Sequence, residues 1–360
     1  MEHRKGKNDQ IRYLAEEEKM KSKPLWNQCF PEDSPAFVSY YYREKTKNNR
    51  ILVKMEGDAI LTMLHRNPYA LRWKDTQWTA DYIVGVATKR DRRHEGHMRE
   101  VLTRGLLDMN REHRPFAFLM PAAEEIYHPF SFRYVEKKEE VFLNPQMEPY
   151  LERKPVMGSE KECQKIGAWM EQWLEKNYDM FTIRNAEYVK HLLMELESEH
   201  GGMDYLMDRG VCVGLQAFWG SREREQRLLY ADGKWCQMGN ERPRIMARIT
   251  DLSAFLSAFR LSEKGELTVE LTVRDGQIPE NSGNFVWKIT GQGSVVRRAE
   301  AKRPGTNEER ITLSADIAEL AEWLFGYRLA ETIWEERAEC RLSKLKQIQT
   351  MGSVFLDEVV

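Results

Sequence analysis

The chain has 360 residues, enough for two or three domains that each bury a core. Hydrophobic residues make up 41% of the chain and aromatic residues 11%, which excludes a disordered polar protein. The 55 lysines and arginines are balanced by 57 aspartates and glutamates. We therefore expect no nucleic-acid partner, because such a partner requires a positive surface.

The cysteines and the N-terminal sequence indicate an intracellular protein. Cys29, Cys163, Cys212, Cys236 and Cys340 form no C-x-x-C pair and lack metal-ligand spacing, so we expect reduced thiols and no metal site. The N-terminal sequence is charged and lacks the apolar region of a signal peptide. No apolar run approaches the ~18 residues that cross a bilayer. These features predict a cytoplasmic protein with no membrane partner.

The first segment, residues 1–150, mixes strands and helices. Residues 81–88 are apolar enough for a buried central strand, and apolar residues recur at helical spacing over 98–109. Residues 115–120 form another candidate strand, followed by a short helix near residues 122–127. A strand, a helix and a strand in this order predict a crossover unit in an α/β sheet.

A second segment, residues 151–242, follows a linker rich in proline. Ser159 and Glu162 have the spacing of a capping box and predict the start of an amphipathic helix. A second amphipathic helix follows, and residues 211–218 have the composition of a strand. This segment is predicted to be α+β.

A third segment, residues 243–360, differs from the first two in its pattern of apolar and polar residues. Residues 267–273 alternate between apolar and polar side chains, which predicts a strand with one buried face. Near the end of the chain, Ser314 is the expected cap of a helix that Gly326 ends. This segment too is predicted to be α+β.

The most informative stretch is the basic turn after the strand of residues 81–88. Arg92, Arg93 and two further arginines crowd into ten residues, just before a helix predicted to begin near Gly96. Unpaired amides at a helix start and arginine side chains bind phosphate, and a glycine allows its close approach. On these residues alone, a basic loop that merely caps a core helix is the alternative.

Several short motifs occur in a characteristic order. They are Phe30-Pro-Glu-Asp33, Tyr40-Tyr-Tyr42, Asn67-Pro-Tyr69, residues 82–88, the Arg93-x-x-Gly96 turn, Met246-Ala-Arg-Ile249 and residues 318–327. Together they resemble the enhanced intracellular survival (Eis) family of GNAT acetyltransferases. The resemblance implies a catalytic GNAT domain at 1–150, a degenerate GNAT-like domain at 151–242 and a sterol carrier protein-like α+β domain at 243–360. It also implies mixed central sheets flanked by helices and a homohexamer.

The resemblance further implies acetyl-CoA as co-substrate, with no metal. The main chain of Val84 and Val86 would bind the pantetheine arm. The pyrophosphate would be held around the turn, by Arg92, Arg93, His94, Gly96, His97 and Met98. Two residues depart from the family pattern: Glu95 replaces a small or basic residue, and Ser131 replaces a glycine in the element that begins at Tyr127. A carboxylate at position 95 would repel the pyrophosphate unless it points to solvent.

Tyr127 matches the tyrosine that the family is presumed to use as general acid, which would protonate the leaving CoA thiolate. Without the resemblance, a core tyrosine with a satisfied hydroxyl is the more common role. A base is also required, because an alkylammonium of pKa ~10 is mostly protonated at pH 7. The resemblance implies the C-terminal carboxylate, here that of Val360, although the family ends in an aromatic residue. A frayed tail is the alternative.

The acceptor wall is expected to combine carboxylates and aromatic rings, since both attract cationic amines. The candidates are Phe30, Glu32, Asp33, Phe37, Tyr40 and Tyr41. The predicted function is direct transfer from acetyl-CoA to a primary amine of a small polycation, similar to an aminoglycoside or polyamine, or of a lysine. The alternative is a non-catalytic module that binds lipid or protein through the sterol-carrier-like domain.

Overall fold

The computed structural model describes residues 9–299, 310–334 and 342–356. The strands in these residues are β1 (Asp9–Tyr13), β2 (Arg50–Glu56), β3 (Ala59–Trp73), β4 (Thr76–Thr88), β5 (Phe116–Leu119), β6 (Arg133–Leu143), β7 (Glu152–Pro155), β8 (Met180–Thr182), β9 (Gly202–Asp208), β10 (Val211–Trp219), β11 (Glu225–Ala231), β12 (Cys236–Ile249), β13 (Glu266–Arg274), β14 (Gly283–Thr290), β15 (Ser294–Arg298), β16 (Arg310–Asp316) and β17 (Val354–Phe355). The α-helices are α1 (Lys23–Cys29), α2 (Pro35–Arg43), α3 (His97–Arg111), α4 (Glu124–Tyr127), α5 (Glu160–Asn177), α6 (Ala186–Ser198), α7 (Leu252–Leu256), α8 (Ile317–Leu324), α9 (Ala330–Trp334) and α10 (Leu342–Leu345). Short 3-10 helices span Glu16–Ser22, Lys45–Asn48, Arg90–Arg92, His128–Phe130, Glu148–Tyr150, Gly233–Trp235 and Pro279–Asn281.

The largest sheet has nine strands in the described residues and is built mainly from the N-terminal segment. Seven strands follow the order β1-β2-β3-β4-β5-β12-β6, while β8 pairs with both β3 and β17. β4 and β5 run parallel and are connected through α3, so the predicted strand–helix–strand crossover is confirmed. α3 begins at His97, directly after Gly96, where the sequence predicts a helix start.

β4 and β5 separate after two paired positions. Asp81 pairs with Ala117 and Tyr82 pairs with Phe118, whereas β4 continues along β3 as far as Thr88. Beyond these pairs, the described parts of β4 and β5 share no ladder. The two strands therefore open into a notch, with the edge of β4 as one wall.

A bulge at Gly85 shapes this wall. The register of β3 against β4 shifts between Met63 and His65, and Gly85 adopts a φ of +59°. A Cβ at Gly85 would lie 2.6 Å from Cζ3 of Trp26. Both the backbone conformation and the packing therefore require glycine at this position.

The middle segment adds a four-stranded sheet of order β11-β10-β9-β7, which packs with α5 and α6. Ser159 caps α5 by accepting a hydrogen bond from the Glu162 amide, as predicted. The Glu162 carboxylate does not close the predicted capping box. It accepts from the amides of Met157 and Gly158 instead, because the chain turns back over the helix start there.

The C-terminal sheet has the order β15-β14-β13-β16, with β13 and β16 parallel. The cap of α8 is Asp316 rather than the predicted Ser314. Asp316 accepts from the amide of Ala318, and Glu319 accepts from the amide of Asp316. Ser314 lies inside β16, because the ladder with β13 extends to the cap residue. Gly326 follows α8 with a φ of +82°, as predicted for the helix end.

Strand β12 links the middle segment to the N-terminal sheet. It lies between β5 and β6, so residues 236–249 complete a sheet whose other strands come mostly from the first half of the chain. The predicted boundary between residues 242 and 243 falls inside this strand. The pairing partners are about a hundred residues away in sequence, so no local pattern marks the strand as part of the first sheet. The division into three domains otherwise stays a prediction.

One apolar cluster joins the C-terminal segment to one face of the large sheet. The ring centroids of Trp73 and Phe259 lie 4.8 Å apart, and those of Phe116 and Phe325 lie 5.1 Å apart. The opposite face of the sheet is covered by α3. No helix in the described residues is long and apolar enough to cross a membrane.

Candidate active site

The notch between β4 and β5 has two differently lined sides. Val86 packs with Met98 and Tyr127 in the cluster under α3. Val84 packs instead in the clusters formed by α1, α2 and the C-terminal segment. The bulge at Gly85 thus places two neighbouring valines on opposite faces, and the notch separates a side with the basic turn from a side that faces α1.

The basic turn ends in a helix start with the properties of an anion site. Gly96 is the cap of α3 in a left-handed conformation, with φ +87° and ψ 0°. A Cβ there would meet no atom within 4 Å, so the backbone conformation, and not crowding, requires glycine. The space above the turn is open to a ligand, and the first amides of α3 add their positive partial charge.

The arginines of the turn differ in their surroundings. Arg93 is exposed, and within the part of the chain that the structure describes it donates only to the carbonyl of Thr88 at 3.4 Å and, in a long contact, to Cys29 Sγ. Arg92 instead pairs with Glu56 at 2.8 Å and with Glu95 at 3.0 Å. His94 is exposed beside them, with a φ of +66°. Arg93 is therefore the more available cation for a pyrophosphate.

Glu95, the residue that departs from the family pattern, is neutralised by its neighbours. The hydrogen bond from Arg92 lowers the pKa of Glu95, so the carboxylate stays ionised at neutral pH. Nε2 of His97 lies 3.1 Å from the same carboxylate. Glu95 therefore remains next to the turn as a paired anion and does not extend alone into solvent.

The side chain of His97 is occupied by this network. Its ring is buried, and Nζ of Lys54 lies 3.0 Å from Nδ1. Because an ammonium only donates, Nδ1 accepts and the proton of a neutral ring resides on Nε2, which donates to Glu95. Lys54 also pairs with Glu100 at 3.1 Å. A contact between His97 and a phosphate would therefore use the backbone amide at the first position of α3.

Tyr127 ends α4 with its ring almost wholly buried at 8% exposure. The ring packs edge-to-face on Phe132, with 5.9 Å between centroids. The hydroxyl has no hydrogen-bond partner among the described residues, and burial raises the pKa of Tyr127 to about 12. A phenol in this state is protonated at neutral pH and has a proton to give.

The loop after Tyr127 is held by Arg248, a residue that the sequence analysis did not select as functional. Its guanidinium is fully buried, donates to the carbonyl of Phe130 at 2.6 Å and pairs with Asp275 at 2.6 Å. Ser131, which replaces the family's glycine, adopts a φ of +62° in this loop. The motif at residues 246–249 could have indicated that Arg248 has a specific role, because this arginine interrupts an apolar run.

Three of the six predicted acceptor residues belong to the core. Phe37 is buried, and the hydroxyl of Tyr40 donates to the carbonyl of His191 at 2.7 Å. The hydroxyl of Tyr41 lies 3.0 Å from Nδ1 of His65, and burial lowers the pKa of this histidine to about 3. These aromatic side chains pack α2 against the core in one buried apolar cluster.

The other three acceptor candidates lie at the surface around Trp26, whose ring packs against the bulge of β4. Phe30 is half-buried on this ring, with centroids 5.0 Å apart. Asp33 accepts a hydrogen bond from the indole nitrogen at 2.7 Å, and partial burial raises the pKa of Asp33. Glu32 is exposed beside it. These residues combine an aromatic face with two carboxylates near the notch.

The predicted base, the carboxylate of Val360, lies outside the described residues. Leu356 is the last residue described, and its side chain is buried in the apolar cluster against which Val84 packs. The Leu356 amide donates to a carboxylate oxygen of Glu136 at 3.2 Å.

Comparisons with protein families identify two parts of the chain. Residues 10–135 match the acetyltransferase (GNAT) domain, and residues 252–356 match the sterol carrier protein domain. The chain therefore contains a GNAT acetyltransferase domain. The GNAT match contains the notch, the basic turn and Tyr127, and it sets aside the non-catalytic alternative. A comparison with curated protein sequences finds no match.

Solved structures resemble this chain over nearly its whole length. A probable N-acyltransferase from Enterococcus faecalis V583 is 16% identical, with a TM-score of 0.75. The match covers 95% of this chain and 94% of that one. A GCN5-related N-acetyltransferase from Kribbella flavida is 13% identical, with a TM-score of 0.73, and the match covers 98% of this chain and 99% of that one. Eis1 from Mycobacterium abscessus is 12% identical, with a TM-score of 0.64, and the match covers 95% of this chain and 94% of that one. At these identities the likeness shows the fold. Together with the two family matches, it confirms the predicted fold class and the resemblance to Eis.

Proposed function

We propose that the enzyme transfers the acetyl group of acetyl-CoA directly to a primary amine of a small polycation, such as an aminoglycoside or a polyamine, or of a lysine side chain. The observation that carries the proposal is the placement of Tyr127. The residue is almost wholly buried, its hydroxyl has no hydrogen-bond partner among the described residues, and its ring lies in one cluster with Val86 and Met98, beside the open edge of β4.

The proposed donor site uses the two features that meet at the notch. The edge of β4 near Val84 and Val86 offers amides and carbonyls to a pantetheine arm, in the way that a sheet edge pairs with an added strand. The start of α3 at Gly96, with the exposed guanidinium of Arg93, would hold the pyrophosphate.

The transfer step requires that a proton be added to the departing sulfur and that a proton be removed from the attacking amine nitrogen. The amine nitrogen attacks the thioester carbonyl carbon, the C–N bond forms and the C–S bond breaks. The Tyr127 hydroxyl gives its proton to the departing sulfur. The attacking ammonium must first lose a proton, and the Val360 carboxylate is the proposed acceptor of that proton, directly or through water.

The proposed acceptor wall is formed by Phe30, Glu32 and Asp33. An aromatic face and two carboxylates attract a cation, and the exposed position of Glu32 suits an amine that arrives from solvent. The packing of Phe30 on Trp26 ties this wall to the bulge of β4. We also expect a homo-oligomer, hexameric by resemblance, which light scattering would test.

The experiment that tests the proposal is the release of CoA thiol from acetyl-CoA in the presence of different amines. Aminoglycosides, polyamines, lysine peptides and arylalkylamines should be compared at equal concentration. We expect release that depends on the amine and is fastest with polycations. Release that is equally fast without any amine, or that is fastest with the singly charged arylalkylamines, would contradict the proposed acceptor class.

Direct transfer makes a separate kinetic prediction. Double-reciprocal plots at several fixed amine concentrations should intersect, because both substrates are bound when the C–N bond forms. Parallel lines, together with a burst of CoA in the absence of amine, would instead indicate a covalent acetyl-enzyme.

A further inference from the structure

The turn between β13 and β14, residues 275–282, is closed by its first residue and is called the Asp275 turn below. Oδ1 of Asp275 accepts from the amides of Gln277 and Ile278 at 2.9 and 3.0 Å. The amide of Asp275 donates to the hydroxyl of Ser282 at 2.8 Å, which joins the two ends of the turn. Because these bonds converge on one buried residue, the Asp275 turn has a fixed conformation.

The Asp275 turn reaches the loop after Tyr127 by a first contact, through Arg248. The side chains of Arg248 and Asp275 are both fully buried, and they pair at 2.6 Å. Nε of the same guanidinium donates to the carbonyl of Phe130 at 2.6 Å. A buried guanidinium requires its counter-ion, so Asp275 keeps Arg248 in place, and Arg248 in turn holds the Phe130 carbonyl.

Gln277 makes a second contact to the same loop, and this one is direct. Its side-chain nitrogen donates to the carbonyl of Pro129 at 3.3 Å. Its side-chain oxygen accepts from the hydroxyl of Thr103 on α3 at 3.2 Å, which orients the amide group. The carbonyls of two successive residues, Pro129 and Phe130, are therefore both held by groups that depend on the Asp275 turn.

These two carbonyls belong to a turn that is closed on Tyr127. Tyr127 ends α4, and the 3-10 helix His128–Phe130 follows directly. The amide of Phe132 donates back to the carbonyl of Tyr127 at 3.4 Å, and the ring of Phe132 packs edge-to-face on the tyrosine ring. A shift of the held carbonyls is therefore transmitted to both the backbone and the ring of Tyr127.

We propose that the Asp275 turn is a positioning element for acyl transfer: Asp275, acting through Arg248, and Gln277, acting on the loop itself, set the place of the Tyr127 hydroxyl. The inference rests on the proposed function, because it requires that Tyr127 protonate the departing thiolate. Asp275 and Gln277 do not touch the reacting atoms. Their contribution is orientation, to which catalysis is sensitive at the level of about 1 Å. Part of the region that matches the sterol carrier protein domain thus serves acyl transfer.

The test compares Asp275→Asn and Gln277→Ala with Gln292→Ala, an exposed glutamine in the same segment of the chain. Asp275→Asn removes the charge that pairs with Arg248, and kcat should fall about tenfold, whereas the loss of the neutral hydrogen bonds of Gln277 should lower kcat about threefold. The KM for acetyl-CoA should change by less than about twofold, because in the described part of the chain neither residue bonds to the basic turn. Gln292→Ala should keep wild-type kcat. Unchanged kcat in the first two variants would overturn the inference.

The Tyr127→Phe background separates this inference from the proposed function. It lacks the hydroxyl that the Asp275 turn positions, so Gln277→Ala should not lower kcat further there. Should Asp275→Asn fail to fold, Gln277→Ala, which changes a half-buried side chain, carries the test. If Tyr127→Phe itself keeps wild-type turnover, the proposed proton donor is wrong and the inference fails with it. If Tyr127→Phe lowers kcat and the effect of Gln277→Ala multiplies with it, the inference is wrong while the proposed function stands.

Discussion

The two sides of the notch are built in different ways. On the proposed donor side, the strand β4, the turn and the start of α3 are consecutive in sequence, and Glu95 pairs with both Arg92 and His97. On the proposed acceptor side, Phe30, Val84 and the C-terminal segment come from separate parts of the chain. The proposed donor side is therefore defined by a short motif, whereas the proposed acceptor side forms only when three segments have folded together.

The largest expected effect comes from a contact between distant residues that supports the loop after Tyr127. Arg248→Ala removes one partner of the buried pair with Asp275 and the donor to the Phe130 carbonyl. Leaving one charge buried and unpaired should lower the free energy of unfolding by about 3–5 kcal/mol. Urea denaturation measures this, with Arg242→Ala, an exposed arginine on the same strand, as control. A loss below about 1 kcal/mol would show that the pair does not hold the Tyr127 loop.

The second prediction concerns Tyr127, which lies on the side of the notch covered by α3. Tyr127→Phe removes the proton donor and keeps the ring that packs on Phe132, so kcat should fall about 10²-fold with little change in melting temperature. Steady-state kinetics measure this effect. Tyr134→Phe, a half-buried tyrosine packed on the same cluster, is the matched control and should keep wild-type turnover.

The pH profile sharpens the same prediction. The acid form of Tyr127 is required, and it persists below a pKa of about 12. The rate should therefore rise between pH 6 and 9 as the amine loses its proton, because the proposed carboxylate base is already ionised there, with no falling limb below about pH 11. A falling limb near pH 8–9 that disappears in Tyr127→Phe would contradict the raised pKa of Tyr127.

The third prediction compares two arginines within the donor side. Arg93→Ala removes an exposed cation and should raise the Kd of acetyl-CoA about tenfold, the value of one charge-assisted hydrogen bond. Arg92→Ala should raise it only about twofold, because Glu56 and Glu95 already balance that charge. Isothermal titration calorimetry measures both constants. Equal effects would mean that the ion pairs of Arg92 open on binding.

The smallest expected effect concerns Glu95. Glu95→Gln removes a carboxylate beside the proposed pyrophosphate site, so the Kd of acetyl-CoA should fall about threefold at low salt, as expected for one screened charge. Because the Arg92 hydrogen bond lowers the pKa of Glu95, the effect should be constant between pH 6 and 9. It should also vanish at about 1 M salt. Weaker binding by the variant would show that Glu95 supports the turn more than it repels the ligand.

The sequence analysis was most successful where contacts are local. The strand, the helix start after Gly96 and the short helix that ends at Tyr127 were all predicted and are confirmed. It was less successful with the aromatic residues of α2, because a buried tyrosine and a substrate-binding tyrosine have the same local pattern. Ser314 was misassigned as a cap because a serine two residues before Asp316 is an equally good candidate until the length of β16 is known.

The sequence by itself determined the GNAT motif and the order of the strand, the basic turn and the helix around it, since these depend on spacing within one stretch of chain. Only the tertiary structure decided that β12 joins the first sheet, that Arg248 supports the tyrosine loop and that Glu136 holds Leu356. Each of these contacts joins residues about a hundred positions or more apart. Their cost in chain entropy is offset only by cooperative packing, so no local pattern of residues records them.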